Sequence, residues 1–230
     1  IGWENYEKLF SRRSYSKMFT ASLTYVLLVV PISVALGLGS ALLISSLRIG
    51  GELYKAIFFL PVMATLLAMA IVWEFALNPI VGVVNDILRS GCDKSAIYAL
   101  LSGSWLGYDP LESWYGSACE KKFPLWLGDR QYALGTIAFI GIWQAFGFNM
   151  VLYLAGLTSV PRELYQAAQM DGADSAWERF KLVTWPMLGP THVFVITISS
   201  IRSFQVFDTV EALTEGGPSK STYVMVYAMV

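Results

Sequence analysis

The sequence predicts an all-α polytopic membrane protein, a bundle of about five transmembrane helices, and three observations carry that reading. The 230 residues are 55% hydrophobic and only 14% charged, with a mean hydropathy of +0.53. A soluble domain carries about 25% charge, so this chain cannot cover a compact globule with polar side chains. Second, Asp, Glu, Lys and Arg are absent from four long runs: 30 residues between Lys17 and Arg48, 18 over Ala56–Trp73, 31 over Gln131–Pro161 and 20 over Leu182–Ile201. A membrane-spanning helix needs about 20 mostly apolar residues. Third, a further apolar run starts near Ser221 and continues to Val230. The chain begins at Ile1 without Met, and it reads as a piece of a longer protein, expected to be incomplete at the C-terminus and also at the N-terminus. A net charge of −1 gives no electrostatic case for nucleic acid; membrane lipid is the expected surrounding.

Each element follows in order. Residues 1–17 are polar and aromatic, as suits a segment lying against headgroups. The first span, Met18–Leu47, would run about 45 Å as a straight helix, more than the hydrocarbon core, so it tilts, projects or kinks at Pro31. Gly37 and Ala41, four apart, suit close approach of a second helix. The turn Arg48–Glu52 leads into a second span, Leu53–Leu77, which contains Pro61 and ends near Glu74, a carboxylate within reach of the interface. Residues 78–130 form a long polar excursion with 11 charges and both cysteines. The third span is Gln131–Thr158. Residues 159–181 are compact and polar, the fourth span is Leu182–Ile201, and a loop follows at Arg202–Lys220.

By alternation, residues 48–55 and 159–181 share one side, and residues 1–17, 78–130 and 202–220 share the other. The Lys and Arg count, five against eleven, does not orient the chain, because five of the eleven lie in a loop nearly long enough to be exempt.

Catalytic groupings are scarce. One histidine, His192, disfavours histidine triads and multi-histidine metal sites, and no metal or catalytic site is expected. It reads as an interfacial polar tip. The cysteines form no C-x-x-C motif. Gly216-Gly-Pro-Ser-Lys-Ser221 lacks both the glycine before its lysine and the strand–loop–helix context of a phosphate loop.

The most informative stretch is Val160–Pro186, VPRELYQAAQMDGADSAWERFKLVTWP. Pro161 fits the first position of a helix over Arg162–Met170, and Gly172 fits the residue past its end. Ser175 with Glu178 is a capping box for a second helix, Ala176–Val183. Leu164, Ala167, Ala168 and Asp171 fall near one face of the first helix, low enough to enter a groove on another protein. A helix merely lying on the membrane surface fits the same residues.

Gln166-Ala-Ala-Gln-Met-Asp-Gly172, with the ending at Pro186, resembles the EAA loop of ABC-importer inner-membrane permeases. The wider chain resembles the sugar-permease subfamily that includes the maltose and glycerol-3-phosphate transporters. Further matches are Trp3-Glu-Asn-Tyr-Glu-Lys-Leu-Phe10, Phe59-Leu-Pro61, Trp126-Leu-Gly128, Phe204-Gln-Val-Phe-Asp208 and Leu213-Thr-Glu-Gly-Gly-Pro218. Two departures stand out: Gln166 replaces the characteristic Glu, and Gly172 to Pro186 is one residue longer than the usual pattern.

The resemblance implies a single type I permease domain over residues 1–230, with 78–130 an external insertion and 159–186 the cytoplasmic coupling loop. Glu163, Gln166, Ala167, Ala168, Asp171 and Gly172 would then contact a cytoplasmic ATPase. It further implies a second permease, an extracytoplasmic solute-binding protein, and ATP with Mg on the partner ATPase, this chain holding no cofactor and performing no catalysis. The membrane would be the inner membrane of a prokaryote, crossed several times. An external loop meets an oxidising compartment, where a Cys92–Cys119 disulfide is expected. The loop is expected to touch the binding protein, and deletion of residues 91–122 tests this: unchanged docking and transport would refute it.

The expected activity is ATP-driven import of a sugar or polyol, glycerol phosphate included. A different solute class (amino acid or peptide) on the same fold, or a membrane enzyme using the external loop, are the alternatives. Polar side chains in apolar spans mark the candidate pathway: Gln144, Asn149, Ser199, Ser203 and Gln205, with Trp143 and Phe148 as rings on which a sugar would stack.

Overall fold

The computed structural model describes residues 13–47, 50–85, 87 and 125–228, and the described residues are helical with no strand. Cys92, Cys119, most of the 78–130 excursion and the segment before Arg13 lie outside them. The long helices are α1 (Arg13–Ser46) and α4 (Ala133–Thr158), both apolar enough to cross a membrane unaided. They coincide with the first and third charge-free runs. α1 continues unbroken through Pro31.

The other two spans are broken. The second consists of α2 (Gly51–Met63) and α3 (Leu66–Ala76), bent by 99°, rather than one helix over Leu53–Leu77. Ala64 and Thr65 are extended, with ψ of 140° and 143°. Pro61 lacks the N–H that would tie this last turn of α2 to the turn before, which weakens the helix just ahead of the break. Glu74 is exposed on α3. The fourth span runs from α6 (Ala176–Arg179) through a π turn (Phe180–Thr184) and α7 (Trp185–Met187), then bends by 67° into α8 (Gly189–Phe204). A short α5 (Arg162–Met170) precedes it, and α9 (Asp208–Thr214) follows and packs on α3.

Lipid offers helices no hydrophobic reason to associate, so small residues and hydrogen bonds must hold the bundle together. Both are found along α4. A Cβ on Gly37 of α1 would lie 2.7 Å from the Asn149 Cβ, and one on Gly141 would overlap the Tyr25 hydroxyl. Tyr25 thus meets Gly141 while Gly37 meets Asn149, which makes α1 and α4 parallel, as alternating spans require. α2 presses on α4 at Gly147, where an added Cβ would overlap the Phe58 carbonyl oxygen. α8 runs the other way: Gly156 faces Thr191, and Asn149 faces Ser199.

Two core clusters lie at opposite ends of the bundle. One gathers Tyr25, Val29, Ile137, Ala138, Val210 and Val224. The other holds Ala41, Ile44, Met150, Tyr153, Leu188 and Val195. Near the second, Ile44, Gly50 and Lys55 line a cavity together with Leu154, Val160 and Tyr165, so these two segments share an end as expected. Near the first, the Met225 amide donates to Ser22 Oγ at 2.8 Å, which brings the stretch after α9 to the start of α1. The polar excursion leaves and returns at one place: Trp126 Nε1 donates to the buried Asn85 Oδ1 at 2.8 Å.

Candidate functional site: a surface helix linked to a polar cavity

The segment after α4 is built by local chemistry. Pro161 takes the cap position of α5, one residue earlier than expected. At the far end Gly172 has φ +89°, a left-handed conformation open to glycine. Its N–H donates to the Gln169 carbonyl at 3.1 Å, and the Ala173 N–H donates to Ala168 at 2.9 Å, the paired closure of a Schellman turn. The capping box then opens α6: the Ser175 amide donates to Glu178 Oε2 at 3.0 Å, and the Trp177 amide donates to Ser175 Oγ at 3.1 Å.

α6 ends at Arg179, where a regular helix to Val183 was expected, and the π turn takes over. Pro186 has no N–H for the Leu182 carbonyl, and its ring would crowd that oxygen in an α register. A π turn holds about one residue more than an α turn.

α5 presents Glu163, Leu164, Gln166, Ala167, Asp171 and Gly172 to the exterior. Ala168 does not belong with them. It is 8% exposed and packs with Val160, Ala173 and Val183, so the expected docking face is narrower. Tyr165 lies on the same inner side, its hydroxyl 3.0 Å from Thr184 Oγ1 in the π turn. Two exposed apolar residues were missed: Met170, 88% exposed, and Trp177, 69% exposed. Met170 follows Gln166 by four and Ala167 by three, so helical spacing could have found it.

From Trp177 a chain of rings runs inward. Trp177 stacks on Phe180 at 5.4 Å, Phe180 meets Trp185 at 6.0 Å, and Trp185 meets His192 at 4.4 Å. His192 Nδ1 lies 2.9 Å from the hydroxyl of Tyr153 on α4. The histidine is therefore a link between helices rather than an interfacial tip.

At the other end of α8 is a cavity of about 620 Å³. All five pathway candidates line it: Gln144, Asn149, Ser199, Ser203 and Gln205. α4 and α8 supply four of them, and Ala64 and Thr65 at the break in the second span line the same space. Phe148 also lines it, with the Arg202 guanidinium 4.1 Å from its ring centre. Trp143 does not: it packs edge-on against Trp73 at 5.4 Å, an ordinary core contact.

Asn149 is largely committed to structure. It is 1% exposed, its Nδ2 donates to Ser33 Oγ at 3.3 Å, and its Oδ1 accepts from Ser199 Oγ at 3.0 Å. One amide thus joins α1, α4 and α8. Ser33, the partner 116 residues away, carried no signal in the sequence.

The comparisons with known proteins agree with this geometry. Residues 9–228 match the family described as binding-protein-dependent transport system inner membrane component. The trehalose/maltose transport system permease protein MalF of Thermococcus litoralis is 32% identical over 96% of this chain and 65% of its own length. The sn-glycerol-3-phosphate transport system permease protein UgpA of Pectobacterium atrosepticum is 26% identical over 99% of this chain and 67% of its own. A chain in the crystal structure of a bacterial alginate ABC transporter, in complex with an alginate pentasaccharide-bound periplasmic protein, has the same fold. Its TM-score is 0.75 at 22% identity, covering all of this chain and 70% of that one. The sequence here spans about two thirds of the length of these relatives. It belongs to the family of binding-protein-dependent transport system inner membrane components, as a multi-pass protein of a prokaryotic inner membrane.

Proposed function

We propose that the chain is a permease subunit of an ATP-driven importer for a sugar or polyol, glycerol phosphate included, and that the cavity is on the solute's route. One observation carries this: the element that resembles a coupling loop and the serines lining the cavity belong to a single connected stretch. α5 is tied to the π turn by Tyr165, the π turn leads through α7 into α8, and α8 holds Ser199 and Ser203 at its far end.

In this reading the outer face of α5, with Glu163, Gln166, Ala167, Asp171 and Gly172, docks on a cytoplasmic ATPase that holds ATP and Mg. Gln166 still offers an amide for hydrogen bonding where the family's Glu would offer a charge. Met170 and Trp177 add apolar contact. The end bearing residues 202–225 faces outward, toward an extracytoplasmic solute-binding protein, and a second permease completes the membrane part. Closure of the ATPase pair moves α5, and α8 follows it, which changes access to the cavity. Names of relatives support the solute class: one is a trehalose/maltose permease and another a glycerol-3-phosphate permease.

The test is tagged purification of the full-length protein in mild detergent, with mass spectrometry of its companions and uptake assays in cells. An ATPase and a second permease are expected with it. Ser203→Trp, which fills the cavity, is expected to reduce uptake at least tenfold while the ATPase still co-purifies. A protein that purifies alone, or uptake indifferent to Ser203→Trp, refutes the proposal.

A further inference from the structure

Arg202 stands apart from the other groups around the cavity. It is the cation among the lining residues, in the last turn of α8. Its guanidinium rests on Phe148, 4.1 Å from the ring centre. The ring holds the charge without accepting any of its five N–H donors. Among the described residues no carboxylate lies within 4.0 Å of it; the ion pair found there is Lys55–Glu52, at the opposite end. Arg202 is exposed at the end of α8, so its charge is not buried among the spans. It lines the cavity, and its planar fork suits a carboxylate or phosphate in bidentate fashion.

Apart from Asp208, the remaining polar lining is neutral. Gln144, Ser199, Ser203 and Gln205 offer amides and hydroxyls of the kind that hydrogen-bond sugar hydroxyls. Asp208 lines the same space with opposite charge. It opens α9, in the first turn, where the helix terminus favours a negative side chain.

We propose that Arg202 sets the solute class, and that the solute is a hydroxyl-rich molecule bearing one anionic group, held by the guanidinium while the neutral side chains bind its hydroxyls. This rests on the cavity being the solute site. It adds a charge requirement that the neutral lining alone would not impose.

The experiment uses the assembled transporter in nanodiscs, with equilibrium binding of two matched pairs of probes. Galacturonate is set against galactose, and glycerol 3-phosphate against glycerol, so the arms separate carboxylate from phosphate. At least one anionic probe is expected to bind about tenfold more tightly than its neutral counterpart, which is what a charge-assisted pair provides. Arg202→Gln is expected to erase that advantage and leave the neutral probe unchanged. Arg202→Lys should retain part of it, and Asp208→Asn should increase it by removing a like charge. The charge requirement is overturned if the neutral probe of each pair binds as well as the anionic one, or if Arg202→Gln weakens both alike. If no probe binds, or if Ser203→Trp leaves binding intact, the cavity is not the solute site, and the proposed route falls with the charge requirement.

Discussion

Gly172→Pro is expected to abolish recovery of the ATPase and reduce uptake to background while the membrane bundle stays folded. The residue sits at φ +89°, and proline is held near −65°, so the turn cannot form as it stands. The substitution also removes the N–H that donates to Gln169 and displaces the Ala173 N–H from Ala168. With that closure gone, α5 loses its fixed relation to the π turn. The damage should stay local, because Gly172 is exposed and a Cβ there meets nothing within 4 Å. Open space also allows a graded series. Alanine fits sterically but pays about 1–2 kcal/mol for its left-handed backbone, and asparagine pays less. The expected order of ATPase recovery is Gly, Asn, Ala, Pro. Pull-down from detergent with equal loading checks it, and a proline variant that retains wild-type recovery contradicts the coupling role.

Gly147→Ala is expected to damage folding itself. The new methyl group would overlap the Phe58 carbonyl oxygen and stand 3.1 Å from its carbon and 3.3 Å from Val62. The obstacle is backbone, which cannot swing aside as the end of a side chain can. α2 must therefore lift from α4, at a cost of about 1–3 kcal/mol or more for overpacking. Thermal unfolding in detergent should show a lower midpoint and a smaller yield of monodisperse protein. Gly135→Ala, on the same helix with nothing within 4 Å, is the matched control and should be neutral or slightly stabilising. Equal behaviour of the two variants would mean that the α2–α4 crossing contributes little.

What could be read from the residues alone was whatever depends on neighbours in the chain. The capping box at Ser175 and Glu178 and the turn at Gly172 are local hydrogen-bond solutions, and both are present as expected. α1 and α4 were visible because lipid excludes charge over a whole span. The break at Ala64–Thr65 was not, since neither residue disfavours a helix strongly and the nearest proline is three positions earlier. Ala168 and Ala167 look alike on a helical wheel, and only Val183 and Ala173, folded back from the next element, decide which one is covered. Asn149 announced itself as polar within a span, but its partners lie 116 and 50 residues away. The five cavity-lining side chains were chosen for polarity, and they converge because α4 and α8 run antiparallel past one another.

The 67° bend at Leu188 divides the fourth span into two arms of unequal length. α8 has 16 residues, which at roughly 1.5 Å per residue makes an arm of about 24 Å. A rotation of about 10° at that elbow would sweep its tip, where Ser203 and Gln205 sit, through ~4 Å. The arm before the elbow, Ala176–Met187, is shorter than α8, so in the proposed mechanism a displacement applied at its far end would reach the cavity somewhat enlarged.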